Sequence, residues 1–450
     1  MQENHKHKPN ERQQACIDCI DGKVMVLAGP GTGKTFTVIN RIASMIEKGI
    51  KPDTILCLTF SDAAASEMKS RLSSSLGIVA SGVNIYTYHS FCNEIIRMYP
   101  DKFGISQNVS LINPTLEREL MVEAIDEAQI KAFVSPRGGK YQYLDTFLKS
   151  VAKLKSKRIN KKIYLQCIDS NPNLMPKIFQ LKSEIEEKQK KGDNRIVTRL
   201  NEVSKTEEKI DRAKELWNIY EIYTRKMIEH NLIDFADMIN LVIDKFEEDD
   251  SFTNEISNHY KYFMADEYQD TNDIQNKILF NLLDVNEQKN IFVVGDDDQI
   301  IYGFQGANSE NIDNFLKKYP DTKVICLTEN NRSTQSILDF SYRIVTQDST
   351  RLENNPLFHS HNIEKQLRAV NPKVIKKEQK IRRWQFGELK QEYNNIVEDI
   401  SNLINSDNCP LDEKNEVKKL SEIAIISTKK NELRIFEELL NARNIPCQLN

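Results

Sequence analysis

The stretch AGPGTGKT at residues 28–35 constrains the fold of this chain more than any other. It follows an apolar run at residues 24–28 and precedes a helix-like segment that begins FTVINRIA. Gly31 and Gly33 allow backbone N–H groups to turn toward an anion, and Lys34 adds a cation where the helix begins. The pattern is that of a phosphate-binding loop, except that Ala28 stands where a first glycine is usual. A plain turn is the alternative, but the flanking strand and helix favour a parallel α/β sheet that binds a polyphosphate.

Two later apolar runs, at residues 262–265 and 291–294, each lead into a polar stretch. Short apolar runs bounded by charge are typical of buried parallel strands. Ligands of open α/β sheets bind beyond the carboxyl ends of the strands, so one crevice is expected to collect Asp266, Glu267, Asp296 and Gln299. One carboxylate could hold Mg²⁺ while its neighbour activates water, as hydrolysis of a nucleoside triphosphate requires. Two strands that end in solvated acids remain the alternative.

Aromatic residues stand at the ends of two more predicted strands, ILCLTF and VNIYTY. They are Phe60 at the end of the first strand and Tyr88, followed by His89, at the end of the second. Taken singly, each is more often a core residue than a ligand-binding one. Together with Phe304, they could form a stacking row for single-stranded bases, which aromatic side chains bind without sequence preference.

Between residues 93 and 225 the chain changes to long, charged segments of helical period, which predict an inserted helical domain. A run of basic residues without any acid lies in this part: Lys149, Lys153, Lys155, Lys157, Arg158, Lys161 and Lys162. Such a run could meet phosphate groups of a nucleic acid. A solvated helix face explains it equally well.

The composition is that of an ordinary globular protein large enough for two or three domains, with 450 residues, 39% hydrophobic and 28% charged. A formal net charge of −4 provides no global field for nucleic acid, so any such binding must be local. The polar start and the lack of a run of about 18 apolar residues predict no membrane partner. Scattered cysteines fit reduced thiols, and a cytoplasmic location is expected.

The motifs resemble, in order and over nearly the whole chain, those of the UvrD/Rep type of superfamily 1 DNA helicase. They are NERQ at residues 10–13, AGPGTGKT, LTFSDAAASEM, YTYHSF, LIDFADMI, MADEYQDTNDIQ, VVGDDDQIIYGFQGA and LTENNRSTQSIL. The resemblance implies an α/β fold, with a RecA-like P-loop NTPase domain, an inserted helical domain and the first part of a second RecA-like domain. The expected boundaries are 1–92 and 226–328 for the first motor domain, 93–225 for the insert and 329–450 for the second domain. Within the second domain, a strand is expected at residues 423–427, a helix at 431–444 and a strand that begins at 445–449.

The resemblance also implies ATP and Mg²⁺ as cofactors and assigns roles to single residues. The nucleotide-binding positions are Gln13, which would read adenine, and Gly29, Pro30, Gly31, Thr32, Gly33, Lys34, Thr35 and Phe36. Thr35 and Asp266 would hold the metal, and Glu267 would activate water. The catalytic group is completed by Lys34, Gln299 and Arg332, the last two at the γ-phosphate. The DNA-binding set is Phe60, Tyr88, His89 and Phe304.

Some positions depart from the family pattern. Asn331 and Phe36 stand where the family places an aromatic ring and a cation on the two faces of adenine. Phe304 and Gln305 replace a Trp-Arg pair, so one cationic contact with DNA is missing. Weaker nucleotide and DNA contacts are therefore expected.

The implied reaction is ATP hydrolysis that drives 3′ to 5′ movement on single-stranded or 3′-tailed DNA. A regulatory or structural ATPase subunit, acting with a partner nuclease or repair protein and without unwinding, is the alternative. The family's later arginine motif does not occur in this sequence, so we expect a fragment rather than a short natural protein. Because such an arginine contributes about 10³- to 10⁵-fold to turnover in related enzymes, these residues alone are predicted to hydrolyse ATP very slowly and with little stimulation by DNA.

Overall fold

The computed structural model describes residues 8–105, 109–133, 139–190, 196–300, 310–348, 351–355, 363–376, 380–405 and 420–449. The chain divides into two compact units, residues 1–378 and residues 379–450. The first contains the sheet, and the second is built around two helices.

The described strands are short. They are β1 Lys23–Ala28, β2 Ile55–Thr59, β3 Asn84–Thr87, β4 Ser110–Leu111, β5 Leu232–Ile233, β6 Tyr262–Ala265, β7 Asn290–Gly295, β8 Lys323–Leu327, β9 Glu329–Asn330 and β10 Arg368–Ala369.

The described helices fill most of the remaining chain. They are α1 Glu11–Asp18, α2 Lys34–Glu47, α3 Asp62–Leu76, α4 Tyr88–Met98, α5 Pro100–Phe103, α6 Pro114–Ala128, α7 Leu144–Ser156, α8 Lys161–Ser170, α9 Met175–Lys190, α10 Ile196–Glu229, α11 Phe235–Glu248, α12 Asp250–His259, α13 Asp273–Val285, α14 Glu310–Lys318, α15 Gln335–Val345, α16 Pro372–Ile375, α17 Leu389–Asn405 and α18 Lys430–Asn441.

Six of the described strands form one parallel sheet in the order β3-β2-β6-β7-β1-β8. The five predicted strands occupy the first five places, and the predicted α/β fold class is confirmed. Strand β8, which the apolar pattern did not single out, pairs with β1 at the edge. Because all pairings are parallel, the carboxyl ends of β1, β6 and β7 meet at one edge of the sheet.

Both faces of the sheet are covered by helices. Alternate residues of β1 point to opposite faces, with Met25 and Leu27 in one hydrophobic cluster and Val24 and Val26 in the other. Helices α4, α11 and α13 contribute to the first cluster, and α2 and α3 contribute to the second. Burial on both faces explains why the strands are almost wholly apolar.

The helical insert has a hydrophobic core of its own. Leu120, Phe147, Ile219 and Tyr223 pack there, on α6, α7 and α10. The short parallel pair β4 and β5 joins the two ends of this part. The domain boundaries expected from the sequence stay a prediction.

In residues 379–450, α17 and α18 pack through Val397, Phe436 and Leu440. The sequence predicted a helix at residues 431–444 flanked by strands at 423–427 and 445–449. The helix is observed as Lys430–Asn441, but neither flanking stretch is a strand in the described part of this unit. A strand is stabilised by a neighbouring strand, and an apolar run predicts no partner for it.

Among the described helices, none is long and apolar enough to cross a membrane.

Candidate functional site

The loop between β1 and α2 lies at the carboxyl edge of the sheet and needs glycine at two positions. Gly31 and Gly33 have φ of +77° and +88°, a region that favours glycine. A Cβ atom on Gly31 would lie 2.7 Å from Cβ of Arg332, and one on Gly33 would lie 2.7 Å from Nε2 of Gln13. Backbone conformation and close packing therefore both require these glycines.

Side chains from two distant segments hold the loop. Nε2 of Gln13 donates to the carbonyl of Thr32 at 2.8 Å, and Oε1 of Gln13 accepts from the amide of Asn10 at 3.0 Å. Nδ2 of Asn330 donates to the carbonyl of Pro30 at 2.5 Å. Helix α1 and strand β9 thus hold the loop through its carbonyl groups, while within the loop the amide of Thr32 donates to the carbonyl of Gly29 at 3.3 Å.

Arg332 is held beside this loop by Asn330. The buried Asn330 side chain accepts hydrogen bonds from the amides of Arg332 and Ser333, at 2.8 and 2.7 Å. The amide of Asn331 donates to the carbonyl of Gly31 at 3.0 Å. The Arg332 residue is exposed, so its guanidinium is accessible to an anion in the loop. Sequence reasoning missed Asn330, although it directly precedes the Asn-Arg-Ser motif.

The predicted acidic pair follows β6 and includes the partner of the loop lysine. Nζ of Lys34 lies 2.7 Å from Oε2 of Glu267. Glu267 has φ of +48°, an uncommon conformation for a residue other than glycine, and such strain is concentrated at functional sites. The structure therefore brings Lys34 and Glu267 together, as the predicted site requires.

Two acids near the end of β6 have raised pKa values. Burial, and then the charge of Glu267, raises the pKa of Asp266 to about 7. The same two causes raise the pKa of Asp270 to about 6. Within the described residues no group of three or more His, Cys, Asp or Glu side chains forms a complete metal site. The donors at hand, the Asp266 carboxylate and the hydroxyl of Thr35 in the first turn of α2, are oxygen ligands of the kind that Mg²⁺ takes together with substrate phosphates.

Gln269 joins the acidic pair to the neighbouring strand and was also missed. Its Nε2 donates to Oε2 of Glu267 at 2.8 Å, and its Oε1 accepts from the amide of Asp296 at 3.0 Å. A Cβ atom on Gly295 would lie 2.9 Å from this Oε1, so glycine at the end of β7 permits the contact. Glu267 is thus oriented by a buried amide and not by Lys34 alone.

The remaining nucleotide-site residues cluster around the same loop. Gln299 follows β7, and its Nε2 donates to Oδ2 of Asp296 at 2.6 Å. A Cβ atom on Gly29 would lie 2.8 Å from Leu367, so the start of the loop is also closely packed. Phe36 lies half-buried in the first turn of α2.

The predicted DNA-binding residues have different environments. Phe60 and His89 are half-buried beyond the ends of β2 and β3, on the sheet edge that carries the loop. Burial lowers the pKa of His89, so its imidazole is neutral near pH 7 and acts as a ring and a hydrogen-bonding group. Tyr88 is 1% exposed, and its ring lies in the core. This burial contradicts the predicted stacking role of Tyr88. The other predicted ring, Phe304, lies outside the described residues.

An exposed ring that the sequence analysis did not assign lies beside His89. Phe235, the first residue of α11, is 55% exposed, and its ring centroid is 5.3 Å from that of His89 in an edge-to-face arrangement. An exposed aromatic ring at this position widens the surface on which a base could stack.

The basic run of the insert is largely neutralised within the protein. Lys155 contacts two acids, Lys157 lies 3.2 Å from Asp273, Arg158 lies 2.6 Å from Asp244, and Lys161 lies 2.9 Å from Glu221. These four cations join helices of the insert to each other and to the sheet domain. The contacts favour the structural explanation of the run over a phosphate-binding one.

Comparison with known proteins extends the pattern along the chain. Residues 9–320 match the family described as UvrD/REP helicase N-terminal domain, and residues 325–450 match the UvrD-like helicase C-terminal domain. The chain is 30% identical over 343 residues to the ATP-dependent DNA helicase PcrA of Staphylococcus epidermidis, across 76% of this chain and 40% of that protein. It is 29% identical to the protein of the same name from Staphylococcus aureus, with the same coverage. The chain thus spans about 40% of the length of these curated relatives.

Proposed function

Since the chain belongs to the UvrD/REP helicase family, we propose that it binds ATP with Mg²⁺ and takes part in ATP hydrolysis coupled to 3′ to 5′ movement on single-stranded DNA. The observation that carries this proposal is the contact between Lys34 and Glu267 beside the glycine loop, with Arg332 packed against Gly31. A phosphate-binding cation, an acid and a second cation from a later segment meet at one sheet edge. Transfer of a phosphoryl group to water needs these groups together.

The contact between Lys34 and Glu267 is the resting arrangement. A triphosphate in the loop would offer Lys34 more negative charge than the single carboxylate does, so Lys34 would move to the phosphate. Glu267 would then be free to accept the proton of an attacking water molecule, while Gln269 keeps its orientation. Binding of the nucleotide would thereby switch on the base that hydrolyses it.

Asp266 and Thr35 would hold Mg²⁺ together with phosphate oxygens. The ion would neutralise charge on the phosphates and lower the energy of the charged transition state. Asp266 fits this role because burial and the charge of Glu267 raise its pKa, so that a bound cation would stabilise its charged form. Gln13 would read the base, since the nitrogen of its amide has a second N–H beyond that donated to Thr32.

Gln299 and Arg332 would contact the γ-phosphate from two sides of the loop. Each is anchored by the side chain of a buried polar residue. Asp296 accepts from the side chain of Gln299, and Asn330 accepts from the backbone amide of Arg332. Such anchoring reduces the reorganisation required when charge develops on the phosphate.

The DNA track would run along the ends of β2 and β3, with Phe60, His89 and Phe235 as the stacking surface. Strand β6, which Asp266 directly follows, lies beside β2 in the sheet. Nucleotide and DNA sites would therefore be neighbours on one sheet edge, which makes coupling between them direct. Stacking of this kind contributes about 1–3 kcal/mol per base.

The test combines binding with hydrolysis by residues 1–450. We expect Mg²⁺-dependent binding of the β,γ-imido analogue of ATP by calorimetry, and binding of oligothymidine that weakens as salt rises. Loss of oligothymidine binding in Phe235→Ala, with nucleotide affinity unchanged, would support the separate track. A chain that binds no nucleotide would contradict the proposal. If the whole protein hydrolyses ATP without any response to DNA, the regulatory ATPase alternative is favoured.

A further inference from the structure

A lysine outside the predicted site is buried against the turn that carries Gln299. The side chain of Lys365 is 5% exposed, and its Nζ lies 3.1 Å from Asp296, 2.5 Å from Asp297 and 2.7 Å from Asp298. Lysine is rarely buried to this extent unless it is paired. Although burial opposes the charge, the three carboxylates hold the pKa of Lys365 above its usual range.

A second cation from the same downstream region completes the cluster. Nε and Nη2 of Arg351 donate to the two oxygens of Asp298, at 2.8 and 2.9 Å. The amide of Leu352 donates to Asp297 at 3.0 Å. The turn after β7 is therefore held by charges that come from beyond α15.

The cluster reaches Gln299 through Asp296. Oδ1 of Asp296 contacts Lys365 and accepts from the amide of Asp298 at 3.2 Å, and Oδ2 accepts from Nε2 of Gln299 at 2.6 Å. The amide of Gln299 also donates to the carbonyl of Asp296 at 2.9 Å. Lys365 and the Gln299 side chain thus share one buried carboxylate, so removal of the lysine changes the charge that holds the glutamine.

The segment that carries Lys365 also supports Arg332. Lys365 lies just before β10, and the amides of Arg368 and Val370 donate to the carbonyls of Thr328 and Asn330, at 2.8 and 2.9 Å. Asn330 is the residue that positions Arg332.

Lys365 and Gln299 face a common cavity of about 230 Å³ whose lining includes Gly29 and Pro30 of the loop. Both proposed γ-phosphate contacts are therefore supported by one segment.

We propose that Lys365 is a positioning residue that, through Asp296, sets Gln299 in register with Arg332, so that the site distinguishes a triphosphate from a diphosphate. This inference rests on the proposed nucleotide site. In the proposed role, Lys365 contacts neither the nucleotide nor the metal. Its effect is confined to the part of the ligand that Gln299 contacts, which separates it from a residue that only stabilises the fold.

The experiment measures the affinity of residues 1–450 for the β,γ-imido analogue of ATP and for ADP, each with Mg²⁺. Wild type should prefer the triphosphate by about tenfold, the effect of one hydrogen bond to a charged oxygen. Lys365→Met should lose this preference and keep its affinity for ADP. Lys365→Arg, which retains the charge, should keep most of the preference.

Lys155→Met is the matched control. Lys155 is as buried as Lys365 and paired with two aspartates, but it belongs to the helical insert. This variant should melt at a lower temperature and keep the wild-type ratio of affinities. If Lys365→Met fails to fold, Asp297→Asn tests the same link, because Asp297 contacts Lys365 and not Gln299.

The outcomes separate the two levels of the proposal. Wild-type binding of both nucleotides, with an unchanged ratio in Lys365→Met or in Asp297→Asn, would overturn the role of Lys365 and leave the proposed site standing. If Lys365→Met loses affinity for both nucleotides equally, Lys365 is a structural residue, and this outcome would also overturn the proposed role. If wild type binds neither nucleotide, the proposed site itself is wrong and the inference falls with it.

Discussion

Two lysines, the half-buried Lys34 in the loop and the buried Lys155 in the helical insert, contact carboxylates at the same distance in different surroundings. Nζ of Lys155 lies 2.7 Å from both Asp234 and Asp237, with only 2% of the side chain exposed. Nζ of Lys34 lies 2.7 Å from Glu267, whose side chain is 32% exposed. The distances alone do not distinguish the two regions.

The difference lies in what else the carboxylates do. Asp234 and Asp237 also form the capping box of α11, so each is used by the backbone as well as by Lys155. Glu267 has an open side, and Lys34 begins a helix whose first N–H groups lack intrahelical partners. Asp234 and Asp237, with side chains 21% and 23% exposed, form a closed cluster because both Lys155 and the backbone use them. Glu267, 32% exposed, could exchange Lys34 for a ligand. The other contacts of the carboxylates, more than their exposure, therefore distinguish the two pairs.

The largest expected effect comes from Glu267, the acid with the open side. Glu267→Gln should retain nucleotide binding and lose about 10²- to 10⁴-fold in turnover, because the amide cannot accept the proton of water. Single-turnover hydrolysis by the whole protein, with enzyme in excess over ATP, measures this. Asp237→Asn is the control from the closed cluster and should leave turnover unchanged. Equal rates for wild type and Glu267→Gln would remove Glu267 from the role of base.

The closed cluster should show the opposite behaviour. Lys155→Met leaves Asp234 and Asp237 without their cation and should lower the free energy of unfolding by about 3–5 kcal/mol. Urea denaturation measures it, with Lys161→Met as the control, since its exposed pair with Glu221 contributes at most about 1 kcal/mol. A stability loss equal to that of the control would show that the cluster does not join the insert to the sheet domain.

Removal of Lys34 should affect the ligand and spare the fold. Lys34→Ala takes away a charged contact with the phosphates and should weaken Mg²⁺-dependent nucleotide binding at least about tenfold, and up to about 150-fold. Calorimetry gives the affinity, and the melting temperature should stay close to that of wild type. Unchanged affinity would refute the assignment of the loop.

The smallest effect concerns the pH dependence of stability in the absence of metal. The pKa of Asp266 in the folded protein, about 7, is above its ordinary value of 3.8, so the folded state favours the protonated form and loses stability as pH rises between these values. Asp266→Asn should therefore stabilise the protein at pH 8 and have little effect near pH 4. Urea unfolding at both pH values checks this. A destabilised variant at pH 8 would show that Asp266 already has a cationic partner, as the acids around Lys155 do.

Some parts of the site could be predicted because the residues that build them are close in sequence. The loop at residues 28–35 and the acids after β6 each follow an apolar run, and strand ends of a parallel sheet meet at one edge. Local pattern and sheet geometry together were enough to place Lys34, Asp266, Glu267 and Gln299 at the same edge. The prediction of strands at 423–427 and 445–449 was wrong because an apolar run does not specify a pairing partner.

The sequence did not predict which of two adjacent residues in one motif faces the core. Tyr88 and His89 follow the same strand, but the ring of Tyr88 lies in the core while His89 is half-buried and contacts the exposed Phe235. Which of the two neighbours faces inward depends on how α4 begins and where α11 packs. A local cap at Thr87 sets the start of α4, but α11 is far away in the chain.

The sequence by itself determined the fold class, the loop and the acidic pair, because these depend on periodicity, glycine and short spacings. Only the tertiary structure decided the residues that hold them in place. Gln269 reaches Asp296 across 27 residues, Lys365 reaches Asp297 across 68, and Asn330 reaches Pro30 across 300. A hydrogen bond or ion pair between such positions depends on where the backbone brings two side chains, and no local pattern in a single sequence encodes that distance.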